Sequence, residues 1–260
     1  MRLVIAAALC CLLLPSVRAA SLPDVIDQVR PSIVGIGTAY PPRQPNRKGD
    51  PVAYRGTGCG VGNGRRVVTN AHVSPAQLDV DNNQSLAVFS GRGAKARAHP
   101  ARVVRTDTEH DLALLEIQGV TLPALQLGDS EKVREGQEIA FTGFPIGMVL
   151  GLYPVTHRGM VAAITPMARP VENARTLNGA QMKRLRNLFH AFQLDATAYP
   201  GNSGSPVYEP DTGRVVGVIN SVVVKESKES VLQKPSGISY AIPVTHVHNL
   251  LEQSKGTTAQ

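Results

Sequence analysis

At 260 residues, 42% of them hydrophobic and 18% charged, the chain can build one large core or two small ones, and this balance excludes an intrinsically disordered protein. Its formal net charge of +7 comes with no long basic run, which excludes a dedicated nucleic-acid binder. The 24 Gly and 19 Pro are spread along the sequence and predict many short elements joined by turns, a β-rich pattern.

In chain order, the first segment reads as a leader. Arg2 supplies a positive start, residues 3–14 are wholly apolar, and Val17-Arg18-Ala19 places small residues where a signal peptidase reads them, so residues 1–19 are expected to be removed after Ala19. The apolar stretch is too short to cross a hydrocarbon core of ~30 Å, and no other segment is longer, so no stable membrane insertion is expected. Cys10 and Cys11 fall inside that leader. Cys59 then stands alone and the mature domain has no intramolecular disulfide.

Ser21-Leu-Pro-Asp24 predicts a helix start with Ser21 as the N-cap, followed by a short helix to Val29. Strands are expected at 32–40, at 56–61 and 65–69 around an Asn63-Gly64 turn, and at 85–90, 94–106, 111–117, 137–144, 155–164, 191–195, 214–224 and 237–242. Apolar residues at Val244, Val247, Leu250 and Leu251 form a helical stripe over 244–253. Many short strands with one helix at each end predict an all-β fold of two packed β-barrels. Leu122-Pro123 and Gly128-Asp129-Ser130 interrupt the pattern and mark a seam, and clefts favour such interfaces. The expected division is 20–125 for the first barrel, 126–254 for the second and 255–260 for a tail.

Three segments carry reactive residue types: Thr69-Asn70-Ala71-His72-Val73, His110-Asp111-Leu112, and Gly201-Asn202-Ser203-Gly204-Ser205-Pro206. Singly each is as well explained by a turn or a structural histidine. Together they offer a nucleophile, a base and a group to orient the base, in the order His, Asp, Ser. That order differs from the Asp, His, Ser of subtilisin-type enzymes and the Ser, acid, His of α/β-hydrolases. Gly201 allows a sharp bend that would aim its own amide and that of Ser203 at one oxyanion, and Gly204 keeps the serine uncrowded.

These segments resemble the trypsin-like serine protease superfamily, and the details resemble its HtrA/Deg branch. Further matches are Ser21-Leu-Pro-Asp24, Gly56-Thr57-Gly58, Asp111-Leu-Ala-Leu-Leu115, Asp195-Ala-Thr-Ala-Tyr-Pro-Gly-Asn-Ser203 and Gly237-Ile-Ser-Tyr-Ala-Ile-Pro243. The resemblance implies two six-stranded antiparallel barrels of the chymotrypsin-like type. It also implies His72 as general base, Asp111 as its orienting acid, Ser203 as nucleophile, and the Gly201 and Ser203 amides as oxyanion hole. Polypeptides would be the substrates, with no metal and no cofactor.

Departures from the family pattern shape further expectations. Asn202 stands where zymogens of the superfamily carry an acid, and Ile33-Val34-Gly35 has no activation-type basic residue before it, so no zymogen cleavage is expected. Thr197, not an acid, occupies the position that floors the S1 pocket, which implies a small or aliphatic P1 residue. Ser205 replaces the commoner Gly, and no PDZ domain is expected, leaving the loop 166–188 with its Arg and Lys cluster as a candidate regulator. Asn220, Ser221 and Val222 are expected to pair with the substrate backbone as an added strand. Asp195 is expected to hydrogen-bond the serine loop, with a role in the S1 pocket as the alternative. The alternating glycines from Gly56 to Gly64 lack a Gly-Lys-Ser/Thr and are assigned to close backbone packing. His246 and His248 lie two apart and do not face each other on a helix, so no metal pair is expected. Two other readings stay open: a binding or adaptor protein whose site is latent, and an α/β-hydrolase esterase.

Overall fold

The computed structural model describes residues 20–41, 50–146, 151–167, 189–220 and 238–255. The expected leader at 1–19, the loop 166–188 beyond Met167, Ser221 and Val222, Gly237 and most of the expected tail lie outside them.

The chain opens with α1 (Leu22–Val29), started as the sequence indicates: the Asp24 carboxylate accepts from the Ser21 amide at 3.3 Å and from its hydroxyl at 2.5 Å. Six strands follow: β1 (Ile33–Ala39), β2 (Val52–Val61), β3 (Arg66–Asn70), β4 (Ser85–Ser90), β5 (Arg97–Asp107) and β6 (Leu112–Ile117). They close into an antiparallel barrel in the order β1-β2-β3-β6-β5-β4. The second set is β7 (Glu138–Gly143), β8 (Val155–Met167), β9 (Phe189–Asp195), β10 (Pro206–Tyr208), β11 (Val215–Asn220) and β12 (Ile238–Pro243). It closes in the order β10-β11-β12-β9-β8-β7, and α2 (Val244–Lys255) ends the described chain. The all-β, two-barrel architecture is therefore as expected.

Several bounds differ for identifiable reasons. β10 was absent from the expected strands: three residues headed by a proline carry too little pattern to read. Residues 93–95 form a 3-10 turn, so β5 starts later than expected. Asp111 stands outside β6 because its φ of 54° is left-handed. β8 and β9 each extend further toward their connecting segment than their apolar patterns suggested.

Burial explains the apolar runs. Along β6, Ala113, Leu115 and Ile117 fill the first barrel, while Leu112 and Leu114 face a second cluster shared between the barrels. β11 repeats this: Val216 and Ile219 fill the second barrel, and Val215 and Val218 join the shared cluster. Both faces are covered, so these strands read as continuous apolar runs rather than alternating ones. The shared cluster also takes Val25 and Val29 from α1 and Val244, Val247 and Leu250 from α2. The seam segment is stitched to both barrels, with Leu125 N–H donating to Gly60 O at 2.9 Å and Gly128 N–H to Val215 O at 2.7 Å.

Candidate active site

The site lies where the barrels meet, with its parts drawn from both. His72 sits in a 3-10 turn, Ala71–Val73, directly after β3. Arg55 in β2 braces that turn by donating to Val73 O at 2.9 Å. Asp111 follows the β5–β6 turn, which closes when the Asp107 carboxylate accepts from the amides of Glu109 and His110 at 2.9 and 3.0 Å. The left-handed conformation is one that Asp tolerates better than most residues. It brings both oxygen sets of Asp111 to the His72 turn. The carbonyl accepts from Ala71 N–H at 3.0 Å and Asn70 Nδ2 at 3.1 Å. The carboxylate accepts from His72 N–H at 3.1 Å and pairs with His72 Nδ1 at 2.6 Å. A third donor arrives from the other barrel: Asn220 Nδ2 lies 3.0 Å from Asp111 Oδ2. Asp111 is buried, whereas His72 keeps 30% of its side chain exposed, enough for a substrate to reach the ring.

Ser203 lies in the loop between β9 and β10 and is also buried. Glycines let this loop press against the His72 hairpin. A Cβ at Gly56 would meet the Val73 methyls at 2.8 and 2.9 Å and Ser203 O at 3.0 Å, so the residue after His72 and the Ser203 carbonyl flank the same glycine. Gly204, at φ 87°, backs onto Thr57 O and Thr69 Oγ1 with no room for a Cβ.

Five consecutive carbonyls of the loop, those of residues 199–203, are tied. Asn202 N–H donates to Tyr199 O at 2.9 Å, Ile146 N–H to Pro200 O at 2.7 Å, and Thr57 Oγ1 to Gly201 O at 2.7 Å. Ser205 N–H donates to Asn202 O at 2.9 Å and Thr57 N–H to Ser203 O at 2.8 Å. Gly201 adopts φ 99° and its amide has no hydrogen-bond partner among the described residues. An amide left over from a fixed peptide plane, as that of Gly201 is, suits a developing oxyanion.

Thr197 lies between Ala196 and Ala198, whose backbone is pinned by Ser239: its hydroxyl donates to Ala196 O and accepts from Ala198 N–H, both at 2.7 Å. Asn220 turns its side chain to Asp111, a contact the sequence did not signal; Ser221 and Val222 lie outside the described residues. Asp195 ends β9 exposed and, among the described residues, makes no side-chain hydrogen bond to the serine loop, contrary to expectation. A neighbouring expectation also needs refinement. Ser205 differs from glycine by more than size: its hydroxyl and both side-chain amide atoms of Asn202 are buried without hydrogen-bond partners among the described residues, the hydroxyl and Asn202 Oδ1 lying beside Gly143.

Other candidates separate from the site. Cys59 is buried, which pushes its thiol up to about 12 and leaves it unreactive. Gly56, Gly58 and Gly60 allow close packing inside β2, but Gly62 and Gly64 serve the hairpin turn with positive φ instead. His246 stacks on His110 with ring centroids 3.7 Å apart, while His248 meets Gly128 O at 3.1 Å. Among the described residues, no group of three or more His, Cys, Asp or Glu could hold a metal, and no helix is long and apolar enough to cross a membrane.

Comparison with known proteins follows the same lines. Residues 56–218 match a family model described as trypsin-like peptidase domain. Two relatives named probable periplasmic serine endoprotease DegP-like are 31% identical over 215 residues, in Halomonas elongata, and 32% identical over 219 residues, in a Marinomonas species. The alignments cover 82% and 84% of this chain but only 38% of each relative, so the chain spans well under half of their length. Among solved structures, an HtrA-type protease, AlgW, with a decapeptide superposes with a TM-score of 0.64 at 22% identity, over 91% of this chain and 68% of that one.

Proposed function

This chain belongs to the trypsin-like peptidase domain family, and from that premise we propose that it is an exported serine endopeptidase working through His72, Asp111 and Ser203. The observation that carries the reading is the Asp111–His72 pair at 2.6 Å, seated against a serine loop whose carbonyls from Tyr199 to Ser203 are engaged. A carboxylate only accepts, so the proton on the imidazole belongs on Nδ1 and the lone pair on Nε2. Nε2 takes the Ser203 hydroxyl proton as Oγ attacks the scissile carbonyl, and the oxyanion is received by the Gly201 and Ser203 amides. The imidazolium then protonates the leaving amine, and water releases the acyl group by the same steps in reverse. Each oxyanion donor in such a site contributes about 3 kcal/mol to the barrier reduction.

In this reading residues 20–125 supply the base and its acid and 126–254 the nucleophile. Cleavage of a zymogen is not needed, because Ile33-Val34-Gly35 is woven into β1 with Ile33 buried. Thr197 gives the S1 pocket no acid, which favours small or aliphatic P1 residues. An extended peptide would pair with Asn220, which ends β11, and with Ser221 and Val222 after it in the sequence. Export to the periplasm or the medium is supported by the leader at 1–19 and by the periplasmic naming of the relatives.

Fluorophosphonate labelling of the purified mature protein tests the proposal. Wild type should label at Ser203, and Ser203→Ala and His72→Ala should lose both labelling and peptide hydrolysis by about 10⁴-fold or more. A folded wild type that resists the probe refutes it.

A further inference from the structure

Thr57 touches the serine loop twice, and the peptidase reading above gives its side chain no task. We infer that Thr57 is a positioning residue whose hydroxyl holds the oxyanion-binding amides in working orientation; the inference rests on that reading. A trans peptide is planar, with its C=O and N–H pointing oppositely, so tying a carbonyl aims the following amide. Four consecutive planes are held this way: Pro200 O by Ile146 N–H, Gly201 O by Thr57 Oγ1, Asn202 O by Ser205 N–H and Ser203 O by Thr57 N–H. Three of those ties are main chain to main chain. The Thr57 hydroxyl is the single side-chain tie, and it crosses from the first barrel to the second.

That hydroxyl is itself oriented. It donates to Gly201 O at 2.7 Å, accepts from Phe144 N–H at 3.0 Å and lies 3.3 Å from the Tyr54 hydroxyl, in a residue that is fully buried. Its one proton goes to Gly201 O, which can only accept and lies nearer than the Tyr54 hydroxyl, while the Phe144 amide can only donate. The need is specific to this position. Gly201 has no Cβ and sits at φ 99°, so its flanking peptides rotate more freely than those of any other residue type. The other side of the loop is held by Ile146, a β-branched residue at φ 54°, a conformation such residues rarely adopt. Its amide bond to Pro200 O, which fixes the plane carrying the Gly201 amide, therefore works against backbone strain, and the Thr57 bond, together with Asn202 N–H to Tyr199 O at 2.9 Å, fixes the plane next to it. Without the hydroxyl, Phe144 N–H and Gly201 O both lose a partner, and the Gly201–Asn202 plane, which lies between the planes that carry the Gly201 and Ser203 amides, keeps only its Asn202 N–H bond to Tyr199 O.

The test uses the full-length mature protein with p-nitrophenyl acetate as probe, comparing wild type with Thr57→Val and Thr57→Ser. The burst amplitude counts working sites and the burst rate reports acylation. Valine keeps the branched shape and removes the donor, so acylation per working site should fall about 10- to 100-fold with KM within about threefold. Serine restores the donor and should return the rate to within about twofold of wild type. A structural role alone would lower thermal stability and burst amplitude but leave the rate per site intact, and that outcome overturns the inference. Should the valine variant fail to fold, Thr57→Cys, a much weaker donor, takes its place, and a wild-type rate there overturns the inference equally. A folded wild type with neither burst nor fluorophosphonate labelling sinks the peptidase reading itself and the inference with it, a result distinct from a normal wild type with an unaffected Thr57→Val.

Discussion

Asp111 serves the His72 turn with its carbonyl and its carboxylate at once, and its left-handed backbone makes both possible. Among the described residues, Asn220 contributes to this arrangement from the opposite barrel. Asn220 Nδ2 supplies the carboxylate's only side-chain amide donor among the described hydrogen bonds. Burying a carboxylate with one donor fewer costs about 1–3 kcal/mol, and here the cost falls on the group that orients the base. Asn220→Leu, close in volume, is therefore expected to lower kcat at least about tenfold while leaving KM nearly unchanged. Steady-state kinetics on a peptide substrate, with sites counted by fluorophosphonate, checks this; a wild-type kcat would return Asn220 to a purely structural place. Glycine marks the same region at the residue scale, since Gly56 and Gly204 set how closely the serine loop approaches the histidine hairpin.

Among the elements, α2 has the most to say about pH. Val244, Val247 and Leu250 bury its inner face, and Arg105 Nε from β5 meets Gln253 Oε1 at 3.1 Å. His246 stacks on His110 and packs edge-on against Phe189 at 5.5 Å. Burial, and secondarily the charge on His110, lower its pKa to about 4, with Asp107 opposing the shift from beyond His110. The folded state therefore refuses a proton that the unfolded chain accepts near the ordinary histidine value of about 6.5. Its contribution to stability is complete above that value and is lost as pH falls toward 4. The site is only partly buried, so the loss should be about 1–2 kcal/mol after solvent screening. Urea midpoints at pH 7.5 and pH 4.5 should show it in wild type and a smaller drop in His246→Phe; equal drops would remove His246 as the cause.

At the scale of the whole molecule, the helices are exchanged. α1 precedes the first barrel yet packs on the second: the Val25 and Val29 methyls lie within about a van der Waals contact of where a Cβ at Gly213 would be, and both share a cluster with Tyr208 and Val215. α2 follows the second barrel and packs on β5 and β6 of the first. Together with the stitched seam segment, this makes the shared cluster the common core of both halves. Val25 is fully buried, so Val25→Asp should cost about 3–5 kcal/mol and lower the stability of the barrel it touches, not only of the helix. Denaturant unfolding followed by tyrosine signal, in a chain with no Trp, checks this, and an unchanged midpoint would show α1 to be dispensable.

The parts legible in the sequence are those encoded by local pattern. Ser21 with Asp24 announced α1, Asn63-Gly64 announced the β2–β3 hairpin, and the His72, Asp111 and Ser203 segments were recognisable because their neighbours must be small or sharply turned. β10 was not legible, since three residues cannot express a period, nor was the outward reach of β8 and β9. What the tertiary structure alone decided is which distant groups meet. Asn220 reaches Asp111 and Thr57 reaches Gly201 through side-chain bonds between barrels, and His246 finds His110 because α2 crosses back to β6. A hydrogen bond between residues far apart in sequence leaves no trace in spacing or periodicity, because its geometry exists only after both barrels have closed and docked.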